Sequence, residues 1–280
     1  MAIVRQCILR RVSVQQFGDL LQSLEVEIDG KRLFAALFDC RESFCAAGDP
    51  LISLYLDHVG TTGIVSVPDA LLVLINKWND TQATTSQDRL VCYSQTLQDI
   101  TMIIVSSKNK ATVLEARLSM LLTARWLSSM VRQASSEPDE PSSPIYHNVV
   151  ESLAFLLASM AATDAGLEAL SIGEGEDNTK KGAGNQLRAT LRQALESCLP
   201  LYSSLSSQLM ERINTVLKHI SILDDSSSQT GNAAAPSSEI QALQFQVSIP
   251  DTQLVASKAA TMIYLEASVS RVSIARIKLI

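Results

Sequence analysis

The sequence predicts an all-α protein, with helical hairpins stacked as an irregular, HEAT-like α-solenoid or closed into a helical bundle, and disordered linkers between them. Three observations carry this. Apolar residues recur at spacings of three and four in segment after segment, whereas strict two-residue alternation is hard to find before the last dozen residues. Hydrophobic residues make up 46% of the chain but aromatics only 5%, so the apolar content is mostly Leu, Ala, Ile and Val. The 11 glycines and 8 prolines concentrate between the periodic segments. No fixed-period repeat is visible, but helix pairs joined by short turns, with no second element type among them, favour stacking.

The elements follow in order. Residues 2–10 form a first helix, and residues 14–25 a second, where Ser13 and Gln16 match a capping box. A third spans about 31–40, after Asp29-Gly30. In "GDPLISLYLDHVGTTGIVSVPDALLVLI", residues 48–75, Asp49 and Pro50 suit the N-cap and first position of a helix that runs to about Val59. Gly60 is expected to end that helix in the left-handed conformation, with Gly63 as a second permissive position. Ser66 caps the next helix with Asp69 three residues on, and Pro68 in the first turn forfeits no intrahelical hydrogen bond.

Thr85 and Asp88 open a helix to about 106, and a long one covers 111–133 with Leu114, Leu118, Leu121, Leu122 and Trp126 as its expected core stripe. "SSEPDEPSSP" interrupts the pattern with three prolines, four serines and three acids. Helix 146–170 precedes a glycine-rich loop, and helices 185–199 and 201–223 divide at Pro200. The expected organisation is an N-terminal helical region 1–133, an acidic linker 134–145, a second helical region 146–223 with a loop at 171–184, a low-complexity linker 224–238 and a divergent segment 239–280. "SVSRVSIARIKLI" stops on Ile280 without a visible packing partner, as in an incomplete domain or an altered C-terminus.

Charge and cysteine content narrow the function classes. A formal charge of −6 disfavours a surface built for phosphate backbones, and the small cluster Arg5, Arg10 and Arg11 does not reverse that. Cys7, Cys40, Cys45, Cys92 and Cys198 are odd in number, lie in apolar segments and form no CxxC pair, which suits reduced buried thiols in an intracellular protein. The arginine-interrupted N-terminus lacks the apolar run of a signal peptide, and "SLAFLLASMAA" at 152–162 is shorter than the roughly 20 residues of a membrane span.

No motif carries catalytic chemistry. "GEGEDNTKKGAG", residues 173–184, has glycines and Lys180-Lys181, but a phosphate loop needs Lys directly after the second glycine and then Ser or Thr, and here Gly182 follows the lysines. It reads as a flexible loop. "GTTG", residues 60–63, could form an anion nest at a helix N-terminus, but Ser66 and Asp69 supply that end with the protein's own oxygens. His58, His147 and His219 are far apart, and none has a second ligand at metal spacing. No G-x-S-x-G elbow appears, and Glu115 with Arg117, or Glu211 with Arg212, read as solvated helix positions.

"LSMLL" at 118–122 and "LAFLL" at 153–157 match the LxxLL pattern that docks in coactivator grooves, but the same stripe is ordinary core. Ser136 and Ser143 sit in plausible kinase contexts within what reads as a plain spacer. Catalytic, cofactor-binding and metal-binding residues are accordingly expected to be none, with no cofactor, no small-molecule substrate, no membrane and no direct nucleic acid.

The segment order then supplies the strongest clue. "FGDLLQSL", "LFAALFDC" and "DPLISLYLDHVGTTGIVSVPDALLVLI" resemble the N-terminal region of the fungal Mediator tail subunit numbered five, at Asp49, Pro50, Leu51, Tyr55, Leu56, Val67, Pro68, Leu71 and Leu72. The resemblance is clearest over 13–78 and extends through helix order to about 223. Members of that family are much longer, and residues after about 245 are not expected to continue its pattern. The resemblance implies a nuclear, non-catalytic transcription coregulator that relays activator signals to RNA polymerase II, with other Mediator tail subunits and activator segments as partners. The alternative is an α-helical scaffold of another assembly, in transport or a coat.

Overall fold

The computed structural model describes residues 2–24, 28–44, 50–81, 86–106, 111–136, 144–172, 178–198 and 206–228. Eleven helices occupy them, and no strand occurs among the described residues. They are α1 (Ala2–Leu9), α2 (Val14–Ser23), α3 (Gly30–Phe44), α4 (Pro50–Thr61), α5 (Val67–Thr81), α6 (Gln87–Val105), α7 (Val113–Ser136), α8 (Pro144–Ala161), α9 (Asp164–Ser171), α10 (Asn178–Glu196) and α11 (Ser207–Ser228). The all-α expectation therefore holds.

Helix starts follow local chemistry. Ser13 Oγ accepts from the Gln16 amide at 3.3 Å and Gln16 Oε1 accepts from the Ser13 amide at 3.2 Å, closing the expected capping box on α2. Asp29 Oδ1 accepts from the amides of Lys31 and Arg32 and starts α3. Ser66 Oγ accepts from the Asp69 amide, as expected for α5. Ser86 caps α6 by accepting from the Arg89 amide, so the cap stands one residue after the expected Thr85, which lies outside the described residues. Thr112 and Glu115 form a reciprocal cap on α7, with Glu115 Oε2 accepting from the Thr112 amide at 2.8 Å. Glu115 is thus engaged in a cap, where a solvated position was expected.

Packing follows an alternating rule. α1 packs on α3, α3 on α5, α5 on α7, and α7 on both α9 and α10; in parallel α2 packs on α4, α4 on α6, α6 on α8, and α8 on α11. From α1 to α9, contacts of each helix with the one two places on generate two layers, the order of a stack of paired helices, and α10 and α11 join it three places on, against α7 and α8. The regions 1–133 and 146–223 meet directly through α6 with α8 and α7 with α8. One core runs through the stack, from Phe17, Phe34, Leu37 and Phe38 through Leu71, Leu97 and Leu127 to Leu153, Leu191 and Ile213, all fully buried.

The single helix expected over 146–170 is two, α8 ending at Ala161 and α9 starting at Asp164 with Thr163 as its cap, and four further expectations require correction. Gly60 does not end α4, which continues to Thr61; the left-handed residue is Gly63, at φ 76°. A Cβ on Gly60 would lie 2.5 Å from Ile103 Cδ1, so glycine there lets α6 approach α4. Gly60→Ala is expected to cost roughly 1–2 kcal/mol. Adding Ile103→Val, which removes Cδ1, should recover part of that loss, and a double-mutant cycle by urea denaturation checks the coupling.

The second correction concerns the α7 core. Leu114 is 74% and Leu118 43% exposed and Leu121 and Leu122 are half-buried, while the buried face comprises Ala116, Ser119, Met120, Thr123, Ala124, Trp126, Leu127, Met130 and Val131, so Trp126 alone of the five expected stripe residues is fully in the core. α7 is approached by α5, α8, α9 and α10, and the face they cover mixes small residues with Met120, Trp126, Leu127 and Met130. Third, α10 begins at Asn178, so 178–184 is helical and the loop expected at 171–184 is shorter. Fourth, α11 reaches Ser228 into the expected linker, and α7 and α8 extend to Ser136 and from Pro144 into the other. The expected Asp49 cap, linker 137–143, residues 173–177, the Pro200 break and everything from 229 onward lie outside the described residues.

Candidate functional site

The glycine turn between α4 and α5 is the first candidate, and its donors are already used. The amides of Thr62, Gly63 and Val65 donate to the carbonyls of His58, Gly60 and Val59 at 3.0, 3.2 and 3.1 Å. Thr61 Oγ1 donates to Asp57 O at 2.6 Å and Thr62 Oγ1 to His58 O at 2.7 Å. Ser66 occupies the end of α5. No converging free donors remain at these positions for an anion. Below the turn, Phe34, Leu56, Val59, Ile100 and Ile103 line an apolar notch with room for little more than a water molecule.

Among the histidines, His58 on α4 stacks over Gly18 of α2, whose Cβ would stand 2.6 Å from the His58 Nε2. His147 lies on α8 and His219 on α11. The described residues contain no group of three His, Cys, Asp or Glu able to hold a metal. His219 is buried and its Nε2 has no hydrogen-bond partner, and burial holds its imidazole below the ordinary value of 6.5. The neutral ring is therefore favoured in the folded chain. Its stabilising contribution is present above the ordinary value and is lost as pH falls from there through the depressed one. His219→Leu is expected to flatten the pH dependence of stability below about pH 6.5, checked by urea midpoints across that range.

Cys7, Cys40, Cys92 and Cys198 are buried thiols outside any disulfide, and Cys45 lies outside the described residues. Burial pushes the Cys198 thiol up to about 11, the opposite of an activated nucleophile. "LAFLL" is core, with Leu153, Leu156 and Leu157 fully buried on α8. "LSMLL" is not, because Leu118 faces outward and Leu121 and Leu122 are half-buried.

The most developed polar arrangement was not read from the sequence. Within one turn of α3, three side chains reach separate partners: Asp39 pairs with Lys77 of α5, Arg41 with Asp99 of α6 at 2.7 Å, and Glu42 with Arg89 of α6 at 2.6 Å. Arg41, 4% exposed, also donates to Thr96 Oγ1 at 2.9 Å and to Ser53 Oγ of α4 at 2.7 Å. Burial lifts the Asp99 carboxyl above its ordinary range, outweighing the pull of Arg41 in the other direction.

A second buried arginine, Arg188, donates from Nε to Asp224 of α11 at 2.7 Å and from a guanidinium nitrogen to Leu170 O at the end of α9. Arg212, expected on a solvated face, lies over the Phe155 ring at 4.6 Å. Each of these groups clamps helices together.

No single described helix is long and apolar enough to cross a membrane. α8 and α9 reach that length and apolarity only together, as a pair bent by 77°, and α8 is sandwiched by α6, α7 and α11.

The described residues thus form a stack of paired helices held together by apolar layers and buried ion pairs, an all-α stacked-helix class of fold. Within that class, the resemblance to Mediator subunit 5 holds across most of the chain. It is 24% identical over 288 residues to the Mediator of RNA polymerase II transcription subunit 5 of Aspergillus oryzae, covering 95% of this chain and 28% of that protein. It is 27% identical over 282 residues to the subunit 5 of Aspergillus fumigatus and 25% identical over 292 residues to that of Coccidioides immitis. These matches cover 94% and 95% of this chain and 27% of each relative. No family model matches the chain, and no solved structure matches it. The chain spans little more than a quarter of the length of these relatives. A match to 95% of 280 residues also leaves too few positions unmatched for all of 245–280 to fall outside the family pattern, contrary to expectation.

Proposed function

We propose that this chain is part of a nuclear, non-catalytic subunit of the Mediator complex and acts through protein contacts, as a coregulator that relays activator signals to RNA polymerase II. The observation that supports it is similarity to fungal Mediator subunit 5 over 94–95% of the chain. The fold is consistent with that role. Stacked helix pairs create long faces for neighbouring subunits, and the charged groups that the described residues bury are committed to joining helices. Its partners are other tail subunits of the complex and activator segments.

Affinity purification of the tagged chain from fungal nuclei, followed by mass spectrometry, tests the reading. Recovery of several Mediator subunits at near-stoichiometric levels is the expected result. A purification that yields the chain with none of them overturns it.

A further inference from the structure

α7, in the middle of the stack, carries a line of leucines and arginines on the side turned away from its core. Its inward face buries Ala116, Thr123, Leu127 and Met130. On the opposite face the helical period sets Leu114, Leu118, Leu121, Arg125 and Arg132 within an arc of about 60°. Leu114, Leu118, Arg125 and Arg132 are exposed, and Leu121, at one edge of the arc, is half-buried. Three leucines on successive turns form a contiguous apolar strip, unlike the single apolar side chains scattered over any surface. Along the same line the strip gives way to positive charge. Arg125 and Arg132 form no ion pair among the described residues, whereas Arg41, Arg89, Arg188 and Arg192 each hold a carboxylate. Arg132 donates to the Ser128 carbonyl of its own helix. The one acid of α7, Glu115, lies off the arc and is engaged in the Thr112 cap.

We infer that this outward face of α7 receives an amphipathic helix of another protein, with acidic residues in its first half and leucines in its second. The inference rests on the reading of this chain as part of an assembly subunit. Length argues for a helix, since the line from Leu114 to Arg132 runs for about 27 Å, or five turns. Charge argues for acids, because two guanidinium groups without carboxylates stand at its far end. The order follows from both. Acids are favoured at the start of a helix, so the incoming element lies antiparallel, its acidic start over Arg132 and Arg125 and its leucines over Leu121, Leu118 and Leu114. α7 receives this helix rather than inserting into a partner's groove, because α5, α8, α9 and α10 already pack on it.

A second copy of the chain fits less well. Two such faces paired in parallel set arginine against arginine, and paired antiparallel they set Arg125 and Arg132 against leucines. A lipid surface also fits less well: an interfacial helix carries its cations on the face opposite its apolar one, whereas these arginines continue the apolar line, and Trp126 is buried.

The test uses the full chain and a fluorescein-labelled synthetic helix of about 20 residues, long enough to fold alone, with glutamates along one face of its first half and leucines along the same face of its second. Control peptides replace the glutamates by lysine or the leucines by glutamine. The acidic peptide should bind in fluorescence anisotropy, more weakly as salt is raised, and the controls should not. Leu114→Gln with Leu118→Gln, and separately Arg125→Glu with Arg132→Glu, should each weaken binding roughly tenfold or more. The arginine variant should in turn gain affinity for the lysine peptide, a change that mere loss of structure does not produce. Because these positions are exposed, both variants should keep the parent's circular dichroism and melting.

The proposal is overturned if the acidic and lysine peptides bind the parent alike, or if either variant binds the acidic peptide as the parent does. It is equally overturned by binding to phosphatidylserine vesicles without peptide binding, by self-association lost on Leu114→Gln with Leu118→Gln, or by cross-links from a photoreactive side chain at position 114 to residues 237–280 of the same chain. Recovery of Mediator subunits from nuclei together with failure here removes this inference and leaves the assembly reading standing.

Discussion

Arg41→Met is expected to lower the unfolding free energy by about 3–5 kcal/mol, the largest loss expected from one polar side chain in this fold. The guanidinium is 4% exposed and ties α3 to Asp99 and Thr96 of α6 and to Ser53 of α4. Its removal leaves Asp99 with a largely buried carboxylate and no counter-charge. Thr96 is less affected, because its hydroxyl also donates to Cys92 O at 2.7 Å. Replacing both charges, as Arg41→Met with Asp99→Leu, should recover most of the loss, since the cost lies in stranding one charge. Urea denaturation of the two variants checks both statements.

The pH dependence gives a second reading of the same site. The Asp99 carboxyl stands above its ordinary value of 3.8 in the folded chain, chiefly through burial, with Asp57 adding to the rise and Arg41 opposing it. A raised value favours the protonated form on folding, so the linked stability is present below the ordinary value and is lost as pH rises through the folded one. Removing Arg41 takes away the group that opposes the rise. The deficit of Arg41→Met relative to the parent should therefore be greatest near neutral pH and shrink toward pH 4.

What the sequence revealed, and what it hid, divides by distance along the chain. The caps at Ser13 with Gln16 and Ser66 with Asp69 were legible because capping needs only three neighbouring residues. Gly60 was assigned the wrong role because its reason for being glycine is Ile103, on a helix two elements away. The α7 core was misread for a related reason. Leucine spacing marks a stripe, but which stripe faces inward depends on four neighbouring helices, which cover Met120, Leu127 and Met130 and leave Leu114 and Leu118 outside. Arg41 and Arg188 were invisible as buried groups, since Asp99 and Asp224 are remote in sequence and no local pattern announces them. The residues that carry the family resemblance proved mainly structural. Tyr55 donates to Val12 O at 2.6 Å and stacks on Phe17 at 4.0 Å, and Leu56 and Leu71 are fully buried. In this chain they are packing residues, so they point to a relative without marking a reaction.

Trp78→Ala should cost about 3–5 kcal/mol, and its effect should spread further than that of any leucine. In a chain with only 5% aromatic residues, the rings gather where the two layers meet. Trp78 of α5 sets its edge against Tyr93 of α6 at 5.3 Å and Tyr146 of α8 at 6.1 Å, and lies 6.3 Å from Trp126 of α7. Tyr93 extends the cluster to Phe38 of α3 at 4.9 Å. Five helices thus share one aromatic junction, each favourable pair adding about 0.5–1.5 kcal/mol beyond burial. Trp78→Phe keeps part of the contacts and should cost less than half as much.

A stack whose contacts are mostly between near neighbours stays cooperative only where such junctions couple its parts. The chain contains two tryptophans, so Trp78→Ala leaves Trp126 as the sole indole reporter on α7. Fluorescence and far-ultraviolet dichroism should trace one transition in the parent. In the variant, Trp126 emission should shift to the red at lower urea than helix is lost, because α7 and α8 keep their contacts with α9, α10 and α11 after the junction opens. Coincident transitions in the variant would instead place the coupling in the aliphatic layers.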